Sequence, residues 1–346
     1  MVKRMKAARF YGPRDLRVEE VPIPEVAADW VLVQLHSVGI CGTDLLVYRG
    51  ELPVKPPITL GHECAGVIAA VGPEVRNVQL GDRVFVEASW GCGSCAYCLR
   101  GLSLHCTRKS SLGRTVDGAF AEYVAVPARV VYRIAEDVPF DDAQAASTVG
   151  SGIRALRHVR PAVGSRAAVV GSGHGGLVLM QLLRLAGAEW VAMAGSRQRR
   201  LSLARELGAD LVVDGRSGKP VDAVMEATEG LGVDLAVDAG GTATSLDLAM
   251  QMAVCGGTVL LFGIFETPVN GFRAPDMYKK EITLVGSKGG FGAYDATGRL
   301  LARRQLKIQP LISHILPLEG VAEGFRLMDE KAPDALRIVI HPDEGK

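Results

Sequence analysis

The amino-acid sequence predicts an α/β protein made of two parts, a barrel-like unit of β-strands followed by a doubly wound parallel sheet with helices. From Lys6 to about Val131, short alternating runs such as Trp30–Ser37 are broken by glycine and proline, and no long helical pattern occurs. From Ala145 to Val159 apolar residues recur at helical spacing, and strand and helix patterns then alternate strictly. The length of 346 residues suits two domains of roughly 100–200 residues each.

The second part contains short apolar runs of the kind that form strands buried on both faces of a parallel sheet. The predicted strands are Arg166–Val170, Trp190–Ala194, Ala209–Asp214, Val233–Asp238, Gly257–Gly263 and Ile282–Gly286. Helices are predicted to begin near Gly175, Gln198, Lys219, Ala243 and Asp276. The expected domains are residues 1–150, residues 151–288, and a segment 289–346 whose strand near Leu336–His341 rejoins the first domain.

Composition excludes several classes of function. With 39 basic and 38 acidic side chains the net charge is +1, which gives no electrostatic footprint for nucleic acid or an anionic membrane. The N-terminus lacks the apolar region of a signal peptide. The longest uncharged stretch, Ala167–Leu183, is shorter than the ~20 residues that a membrane span needs. We therefore expect a cytoplasmic protein, in which clustered cysteines indicate metal binding or catalysis rather than disulfides.

A glycine-rich turn, RAAVVGSGHGG, follows the first strand of the predicted parallel sheet. Its G-x-G-x-x-G spacing lets the chain turn tightly, lets a pyrophosphate approach the backbone and lets helix and strand pack closely. The helix that opens there offers unpaired N–H groups and its positive dipole end to phosphates. The motif predicts a dinucleotide site, with an unliganded glycine turn as the alternative. The residues expected to bind the cofactor here are Gly171, Gly173, His174, Gly175 and Gly176.

The residue at the end of the second strand of this sheet distinguishes a site for NAD from a site for NADP. A site for NAD places Asp or Glu there to accept a hydrogen bond from the ribose 2′-hydroxyl. In this sequence the position is Gly195, followed by Ser196, Arg197 and Arg200. A hydroxyl and guanidinium groups suit a 2′-phosphate instead. We therefore expect NADP(H) in preference to NAD(H), with a solvated basic helix start as the alternative.

Four of the seven cysteines form a C-x2-C-x2-C-x7-C run inside a predicted lobe of about residues 88–110. Four thiolates on a short loop can close a tetrahedral zinc site without an open position, which is a structural site. An iron–sulfur cluster also uses four cysteines, although this spacing is unusual for one, and unliganded thiols are the remaining alternative. The predicted structural ligands are Cys92, Cys95, Cys98 and Cys106.

A second candidate metal site comes from two separate motifs, VGICGTD with Cys41 and LGHE with His62 and Glu63. Cys, His and Glu are all zinc ligands, and an open coordination position would make the metal a Lewis acid. Cys64 and Cys255 lie in apolar stretches and are expected to be packing residues. Asp141 and Asp142 are expected to be N-caps of a helix from Ala143 rather than ligands.

With these motifs the chain resembles the zinc-dependent medium-chain alcohol and polyol dehydrogenase family over nearly its whole length. Further landmarks occur in the order typical of that family, namely GDRV (Gly81–Val84), GAFAEY (Gly118–Tyr123) and PLEGVAEGF (Pro317–Phe325). The resemblance implies a GroES-like β-barrel catalytic domain, completed by the C-terminal segment, beside a Rossmann dinucleotide-binding domain. Such enzymes commonly form homodimers or homotetramers, so a homo-oligomer is expected.

The resemblance also implies roles for individual residues. Cys41 and His62 would be catalytic zinc ligands, Glu63 an alternate or outer ligand, and Thr43 would relay the substrate proton. Zinc would polarise the substrate oxygen while hydride passes to or from the nicotinamide. Members with a Gly-Ser-Arg triplet after the second strand are similar in preferring NADP.

Two positions depart from the family pattern. Ser147 stands where the family normally supplies a third ligand, and a neutral serine is a poor zinc ligand. Glu63 could take that place, substrate could complete the site, or the site could bind metal weakly. Leu46 stands where many members carry a histidine that passes the proton to solvent, so the relay would stop at Thr43 or continue through water.

The function predicted from the sequence is an NADP(H)-linked, zinc-dependent oxidoreductase. Its substrate would be a secondary alcohol, polyol or cyclitol, or the matching ketone, whereas neither nucleic acid nor membrane is an expected partner. One alternative is a quinone- or enone-type reductase of the same superfamily with zinc only in the cysteine lobe. Another is a catalytically silent NADP-binding protein.

Overall fold

The computed structural model describes residues 3–343, and the chain forms two compact units. The first unit comprises the described residues of Met1–Ser147, Tyr294–Arg304 and Ile308–Lys346. The second comprises Thr148–Ala293 and Gln305–Lys307. Among residues 3–343, no helix combines the length and apolar character needed to cross a membrane.

The helices and strands are numbered in chain order. The strands are β1 (Arg4–Gly12), β2 (Asp15–Pro22), β3 (Trp30–Gly39), β4 (Ile58–Thr59), β5 (Glu63–Val71), β6 (Arg83–Val86), β7 (Ser89–Trp90), β8 (Ser110–Ser111), β9 (Tyr123–Pro127), β10 (Val131–Arg133), β11 (Arg166–Val170), β12 (Trp190–Gly195), β13 (Leu211–Asp214), β14 (Val233–Asp238), β15 (Ala253–Leu261), β16 (Thr283–Gly286), β17 (Ile312–Pro317) and β18 (Arg337–His341). The α-helices are α1 (Gly42–Arg49), α2 (Ala96–Leu99), α3 (Phe140–Ala143), α4 (Ala146–Val159), α5 (His174–Leu185), α6 (Gln198–Glu206), α7 (Pro220–Ala227), α8 (Ala243–Met252), α9 (Ala274–Lys279), α10 (Tyr294–Ala302) and α11 (Val321–Asp329).

The first unit is built on a sheet with the order β10-β6-β5-β3-β18-β17, in which β9 also pairs with β3. Its pairs are antiparallel except for β17 and β18. The register sets Gly39 opposite both Glu63 and Val339, so the ends of β3, β5 and β18 meet at one place. Fully buried side chains such as Phe120 and Phe325 form the apolar core of this unit. The pairing therefore brings distant parts of the sequence to the point where the VGICGTD and LGHE motifs begin.

The second unit is a parallel sheet with the order β13-β12-β11-β14-β15-β16, which is the order of a doubly wound dinucleotide-binding fold. Four of the five residues of β11 and five of the six of β14 are buried, as expected for strands covered by helices on both faces. All the predicted strands of this sheet are present, although the strand expected at Gly257–Gly263 begins earlier, at Ala253. The two-part architecture predicted from the sequence, a first unit rich in β-strands and a second unit with a doubly wound parallel sheet, is confirmed.

One helix in the first unit had no sequence signal. Helix α1 is eight residues long and starts immediately after Cys41, and its short Gly-Thr opening gives no amphipathic pattern. The Asp44 carboxylate accepts a hydrogen bond from the backbone N–H of Cys41, which satisfies one donor at the helix start. The helix ends at Arg49, and its C-cap is Gly50, whose left-handed φ of +80° suits glycine. Local capping rather than periodicity therefore sets this helix, and with it the position of Cys41.

The N-cap prediction for Asp141 and Asp142 is wrong. The helix expected from Ala143 forms as α3 and α4, and both aspartates lie in the first turn of α3, whose N-cap is Pro139. Proline has a fixed φ that starts the turn earlier, so the two carboxylates fall inside the helix. Asp141 accepts a hydrogen bond from the hydroxyl of Ser37 at 2.7 Å instead.

The packing prediction holds for Cys64, which is 1% exposed, but is wrong for Cys255, which is exposed. The pairing of β14 with β15 shifts its register beside Cys255, which marks a bulge. Gly256 has a φ of +76° at this bulge, a conformation that glycine adopts readily. The bulge breaks the strand alternation that would otherwise have kept the Cys255 side chain within the apolar run.

Candidate functional site

The glycine turn after β11 has the geometry of a dinucleotide-binding loop. Gly171 has a φ of +123°, and a Cβ there would lie 2.8 Å from the backbone at Ala239 and Gly240. A Cβ on Gly176 would overlap the carbonyl oxygen of Gly171, so helix α5 packs against the turn only with glycine at this position. Gly173 is the N-cap of α5 and makes no side-chain cap, which leaves the first N–H groups of the helix available to a phosphate.

Strand β12 ends at Gly195, beyond which Ser196 is exposed and the predicted Arg197 and Arg200 are half-buried. Burial and the neighbouring Arg197 lower the pKa of Arg200 to about 10. An anion bound beside Arg200 would offset the burial and the repulsion from Arg197 that lower its pKa. A Cβ on Gly195 would overlap the Ser172 side chain, so the turn before α5 depends on a glycine at this strand end.

One carboxylate near this strand end was not predicted as part of the site. Asp214 pairs with Gly195 in the β12–β13 register and so lies at the same edge of the sheet. Its carboxylate accepts hydrogen bonds from Arg216 and from the Gln198 amide at 2.9 Å. The hydrogen bonds from Arg216 lower the pKa of Asp214 to about 2. Asp214 is therefore already engaged by side chains of the protein.

The four-cysteine lobe brings Cys92, Cys95, Cys98 and Cys106 together as predicted, with their sulfur atoms all within 4.8 Å of one another. The Sγ atoms of Cys95 and Cys106 are 3.7 Å apart, close to the roughly 3.8 Å that Zn–S bonds of about 2.3 Å impose on a tetrahedron. Backbone N–H groups of Cys92 and Arg108 each donate to Sγ of Cys106 at 3.3 Å. A hydrogen bond from the Ser94 backbone lowers the pKa of Cys92 to about 5. Thiolates held in this way fit a closed, structural zinc site.

The second cluster consists of Cys41, His62 and Glu63, whose ligand atoms also lie within 4.8 Å of one another. Cys41 is the N-cap of α1, and Glu63 is the first residue of β5. His62 directly precedes β5 and is largely buried. Three protein donors for a four-coordinate ion leave one position open, which is the arrangement of catalytic zinc sites. The donor types fit zinc, and this group differs from the cysteine lobe in leaving room for a further ligand.

Asp44, which the sequence analysis did not single out, holds this cluster together. Its carboxylate is 2% exposed and lies 3.0 Å from Nδ1 of His62. It also accepts backbone hydrogen bonds from Cys41 at 3.0 Å and Gly61 at 3.2 Å. When Nδ1 donates to a carboxylate, the Nε2 lone pair is left for a metal, a common arrangement for zinc-binding histidines. Asp44 is the last residue of the VGICGTD motif, but the sequence alone did not indicate that it would hydrogen-bond to His62.

The charge of Glu63 is balanced by a buried partner from the C-terminal strand. Arg337 is 2% exposed and forms an ion pair with the Glu63 carboxylate. Its guanidinium also donates to the carbonyl of Ile40 at 3.1 Å and to the side chain of Gln144 at 3.1 Å. A Cβ on Gly39 would overlap this guanidinium, so the glycine of the motif makes room for the arginine. No sequence signal links Arg337 to Glu63, because strand pairing alone brings them together.

The remaining predicted residues lie around the same cluster or its helix. Thr43 is half-buried in the first turn of α1, two positions after Cys41. Leu46 is buried in the second turn of that helix and offers no group for proton transfer. Ser147 is half-buried near the start of α4, and its side chain hydrogen-bonds Tyr294.

Comparison with known sequence families and proteins identifies the chain. Residues 27–136 match the alcohol dehydrogenase GroES-like domain, and residues 176–303 match the zinc-binding dehydrogenase domain. L-threonine 3-dehydrogenase of Bacillus velezensis is 32% identical over 317 residues, which cover 90% of this chain and 91% of the relative. D-arabinitol dehydrogenase 1 of Uromyces fabae is 28% identical over 344 residues, 98% of each chain.

Solved structures agree with the sequence relatives. A zinc-binding dehydrogenase from Sinorhizobium meliloti 1021, crystallised with NADP, superposes with a TM-score of 0.93 at 29% identity, covering 98% of this chain and 100% of the other. The cofactors of the chain are zinc and a nicotinamide dinucleotide. The protein belongs to the zinc-binding medium-chain dehydrogenases and is an NAD(P)-dependent dehydrogenase acting on CH–OH groups.

Proposed function

We propose that the protein catalyses the zinc-dependent, NADP(H)-linked interconversion of a secondary alcohol, polyol or cyclitol and the matching ketone. The observation that carries the proposal is the Cys41–His62–Glu63 cluster, because three ligands with one open position suit binding of a substrate oxygen. Zinc bound there would polarise that oxygen and favour loss of its proton. Zinc in the closed cysteine lobe would stabilise the fold and take no part in the reaction.

The chain's own residues would divide the remaining work. Cys41, His62 and Glu63 would hold the ion, and Asp44 fixes the orientation of His62 through its hydrogen bond to Nδ1. The Thr43 hydroxyl would accept the proton of the substrate alcohol. Because Leu46 cannot carry that proton further, water next to the half-buried Thr43 would take it to solvent.

The preference for NADP(H) rests on the edge of the second unit's sheet. No carboxylate occupies the end of β12, and Arg197 and Arg200 supply guanidinium groups for a 2′-phosphate. The carboxylate at the neighbouring strand end, that of Asp214, accepts hydrogen bonds from Arg216 and Gln198 instead of from a ribose. Backbone N–H groups at Gly173, His174, Gly175 and Gly176 would bind the pyrophosphate.

Initial rates with NADP⁺ and NAD⁺ on an alcohol panel of L-threonine, D-arabinitol, sorbitol and 2,3-butanediol test the proposal. We expect oxidation of at least one of these alcohols, with kcat/KM at least about tenfold higher for NADP⁺. Arg200→Ala should raise the KM for NADP⁺ about 10–100-fold and leave that for NAD⁺ nearly unchanged, since it removes a charged hydrogen bond. Arg199→Ala, which removes an exposed charge from the same helix, is the matched control.

Equal use of the two dinucleotides by the wild type would refute the cofactor proposal. Reduction of quinones or enones without oxidation of any alcohol would favour the reductase alternative, in which only the cysteine lobe holds zinc. Tight NADPH binding without turnover of either substrate class would favour the silent binding protein.

A further inference from the structure

Helix α3 and its C-cap residue, Gln144, contact the metal-binding part of the first unit, although the proposed function uses neither. Gln144 is buried, with 0% of its surface exposed. Its Oε1 atom accepts hydrogen bonds from Nε of Arg337 at 3.1 Å and from Nη2 of the same guanidinium. Its Nε2 atom donates to the backbone carbonyl of Asp141 at 2.8 Å. Both ends of the amide have partners, so its orientation is fixed.

Asp141, whose backbone holds that amide, is itself held by two strands. Its Oδ1 atom accepts a hydrogen bond from the hydroxyl of Ser37 in β3 at 2.7 Å. Nε2 of His341, the last residue of β18, lies 2.8 Å from the same oxygen. The turn that carries Gln144 is therefore attached to β3, which ends beside the metal cluster, and to β18, which carries Arg337.

Gln144 determines where the third nitrogen of the Arg337 guanidinium points. The group is planar, so fixing Nε and Nη2 also fixes Nη1. Nη1 donates to the carbonyl of Ile40 at 3.1 Å and forms the ion pair with Glu63. Ile40 directly precedes Cys41 in the chain. A single nitrogen therefore joins the two chain segments that supply Cys41 and Glu63 to the second cluster.

The surroundings of this arginine leave it no solvent to turn to. Arg337 is 2% exposed and Glu63 is 3% exposed. A Cβ on Gly39 would overlap both the guanidinium and Oε1 of Gln144, so the backbone approaches the pair closely. Without the Gln144 oxygen, two buried N–H groups of the cation would lack their acceptor, which is costly. The guanidinium would then turn toward other acceptors, and Nη1 would leave its position between Ile40 and Glu63.

We propose that Gln144 is a positioning residue of the second cluster, which keeps Arg337 in the orientation that joins the Cys41 segment to Glu63. Gln144 contacts neither metal nor substrate and acts only through the arginine. With one carboxylate oxygen of Glu63 facing Nη1, the other oxygen is left for zinc. The inference rests on the proposed function, since it requires that this cluster hold zinc.

The first test compares Gln144→Met with Gln144→Glu. Methionine is as long as glutamine but offers the guanidinium no oxygen, so zinc affinity at the second cluster should fall about 5–10-fold. Glutamate keeps an acceptor oxygen at the same place, so its zinc affinity should lie between those of the wild type and Gln144→Met. Competition with a chelator measures both, and the zinc of the four-cysteine lobe should be held as tightly as in the wild type.

Gln181→Met is the matched control, in the second unit. Gln181 is also buried, and its amide donates to the carbonyl of Lys307 at 3.3 Å and accepts from the Lys307 N–H at 2.8 Å. Both methionine variants should lower the Tm, because each leaves buried polar groups without partners. Only Gln144→Met should weaken zinc binding, which separates positioning from a contribution to stability.

Arg337→Lys tests whether Gln144 acts through the arginine. An ammonium group lacks the planar fork that reaches Gln144, Ile40 and Glu63 together, so zinc affinity should fall at least as far as in Gln144→Met. Adding Gln144→Met to Arg337→Lys should cause less than about a twofold further loss, because the group that Gln144 orients is already gone.

A spectroscopic measurement does not depend on turnover. With Co²⁺ in place of zinc, the visible bands report the arrangement of ligands around the metal. Gln144→Met should shift the bands of the second cluster, because Glu63 loses its fixed partner. Gln181→Met should give the wild-type spectrum.

Two results would contradict the inference in distinguishable ways. A wild-type protein with two zinc ions, beside a Gln144→Met variant with a lower Tm but unchanged zinc affinity and Co²⁺ spectrum, would make Gln144 a structural residue and leave the proposed function intact. A wild-type protein with zinc only in the cysteine lobe would overturn the proposed function and this inference with it. Should Gln144→Met fail to fold, Gln144→Asn, whose amide is one methylene too short to reach the guanidinium, decides the same question.

Discussion

The two cysteine-containing clusters differ in how the chain assembles them. The four-cysteine lobe is local, because all its ligands fall between Cys92 and Cys106 and their spacing alone brings the sulfurs together. The second cluster joins Cys41 to His62 and Glu63 across two elements, and it depends on Asp44 and Arg337 for its geometry. The supporting hydrogen bonds of the lobe come from the same short loop as its ligands, whereas those of the second cluster come from distant parts of the chain.

The largest expected effect tests the second cluster. Cys41→Ser removes a thiolate ligand from the site that would activate the substrate, so kcat should fall by about 10³-fold or more. Thermal unfolding should change little, because the cysteine lobe keeps its metal. Steady-state rates with the best alcohol of the panel measure the loss, and Cys255→Ser, at an exposed cysteine, is the matched control. Retention of more than a tenth of the activity would show that the cluster is not catalytic.

The reverse pattern is expected for the lobe. Cys106→Ser breaks a buried structural ligand, so the Tm should fall on the order of 10 °C while the kcat of the protein that remains folded stays near the wild-type value. Calorimetry and rates measured well below the Tm separate the two effects. A loss of kcat without a change in Tm would reverse the assignment of the two clusters.

A smaller effect sharpens the role of Asp44. Asp44→Asn keeps the shape of the side chain but removes the charge that holds His62, so zinc affinity at the second cluster should fall about 10–100-fold. Competition with a chelator should show one zinc released more easily and the other as tightly bound as in the wild type. Equal affinity in both proteins would mean that the Cys41 and Glu63 ligands suffice without it.

The smallest effect concerns Glu87, which lies beside Tyr132 and is 4% exposed. Burial raises the pKa of Glu87 to about 7, above its usual value near 4.5. Its protonated form is favoured by folding, so the stability it contributes is present below pH 4.5 and is lost as the pH rises through 7. Glu87→Gln cannot titrate, and its Tm relative to the wild type should therefore be higher at pH 8 than at pH 5. A difference independent of pH would contradict this.

Sequence patterns predicted the elements whose causes are local. The apolar runs of the parallel sheet, the glycine turn at Gly171 and the cysteine spacing each carry their structural reason within a short window. Resemblance to a family was needed to join Cys41 to His62, because neither motif is specific alone.

The features that the sequence did not predict have two causes. Some depend on pairing between distant strands, and others depend on neighbouring residues that favour different local structures. Arg337 reaches Glu63 only because β18 pairs with β3, and nothing in its own segment indicates a buried cation. Pro139 is the N-cap of α3, although aspartate is a common N-cap residue and the sequence therefore suggested Asp141 and Asp142. A bulge in β15 exposed Cys255 despite its apolar neighbours.

Zinc stoichiometry tests the difference between the two clusters most directly. Elemental analysis of the wild type, Cys41→Ser and Cys106→Ser, each measured per folded chain, should give two zinc ions in the wild type and one in each variant. The ion that remains in Cys41→Ser should resist exchange, whereas the one that remains in Cys106→Ser should respond to alcohol when replaced by Co²⁺. One zinc in the wild type, lost in Cys106→Ser and unaffected by Cys41→Ser, would contradict the account.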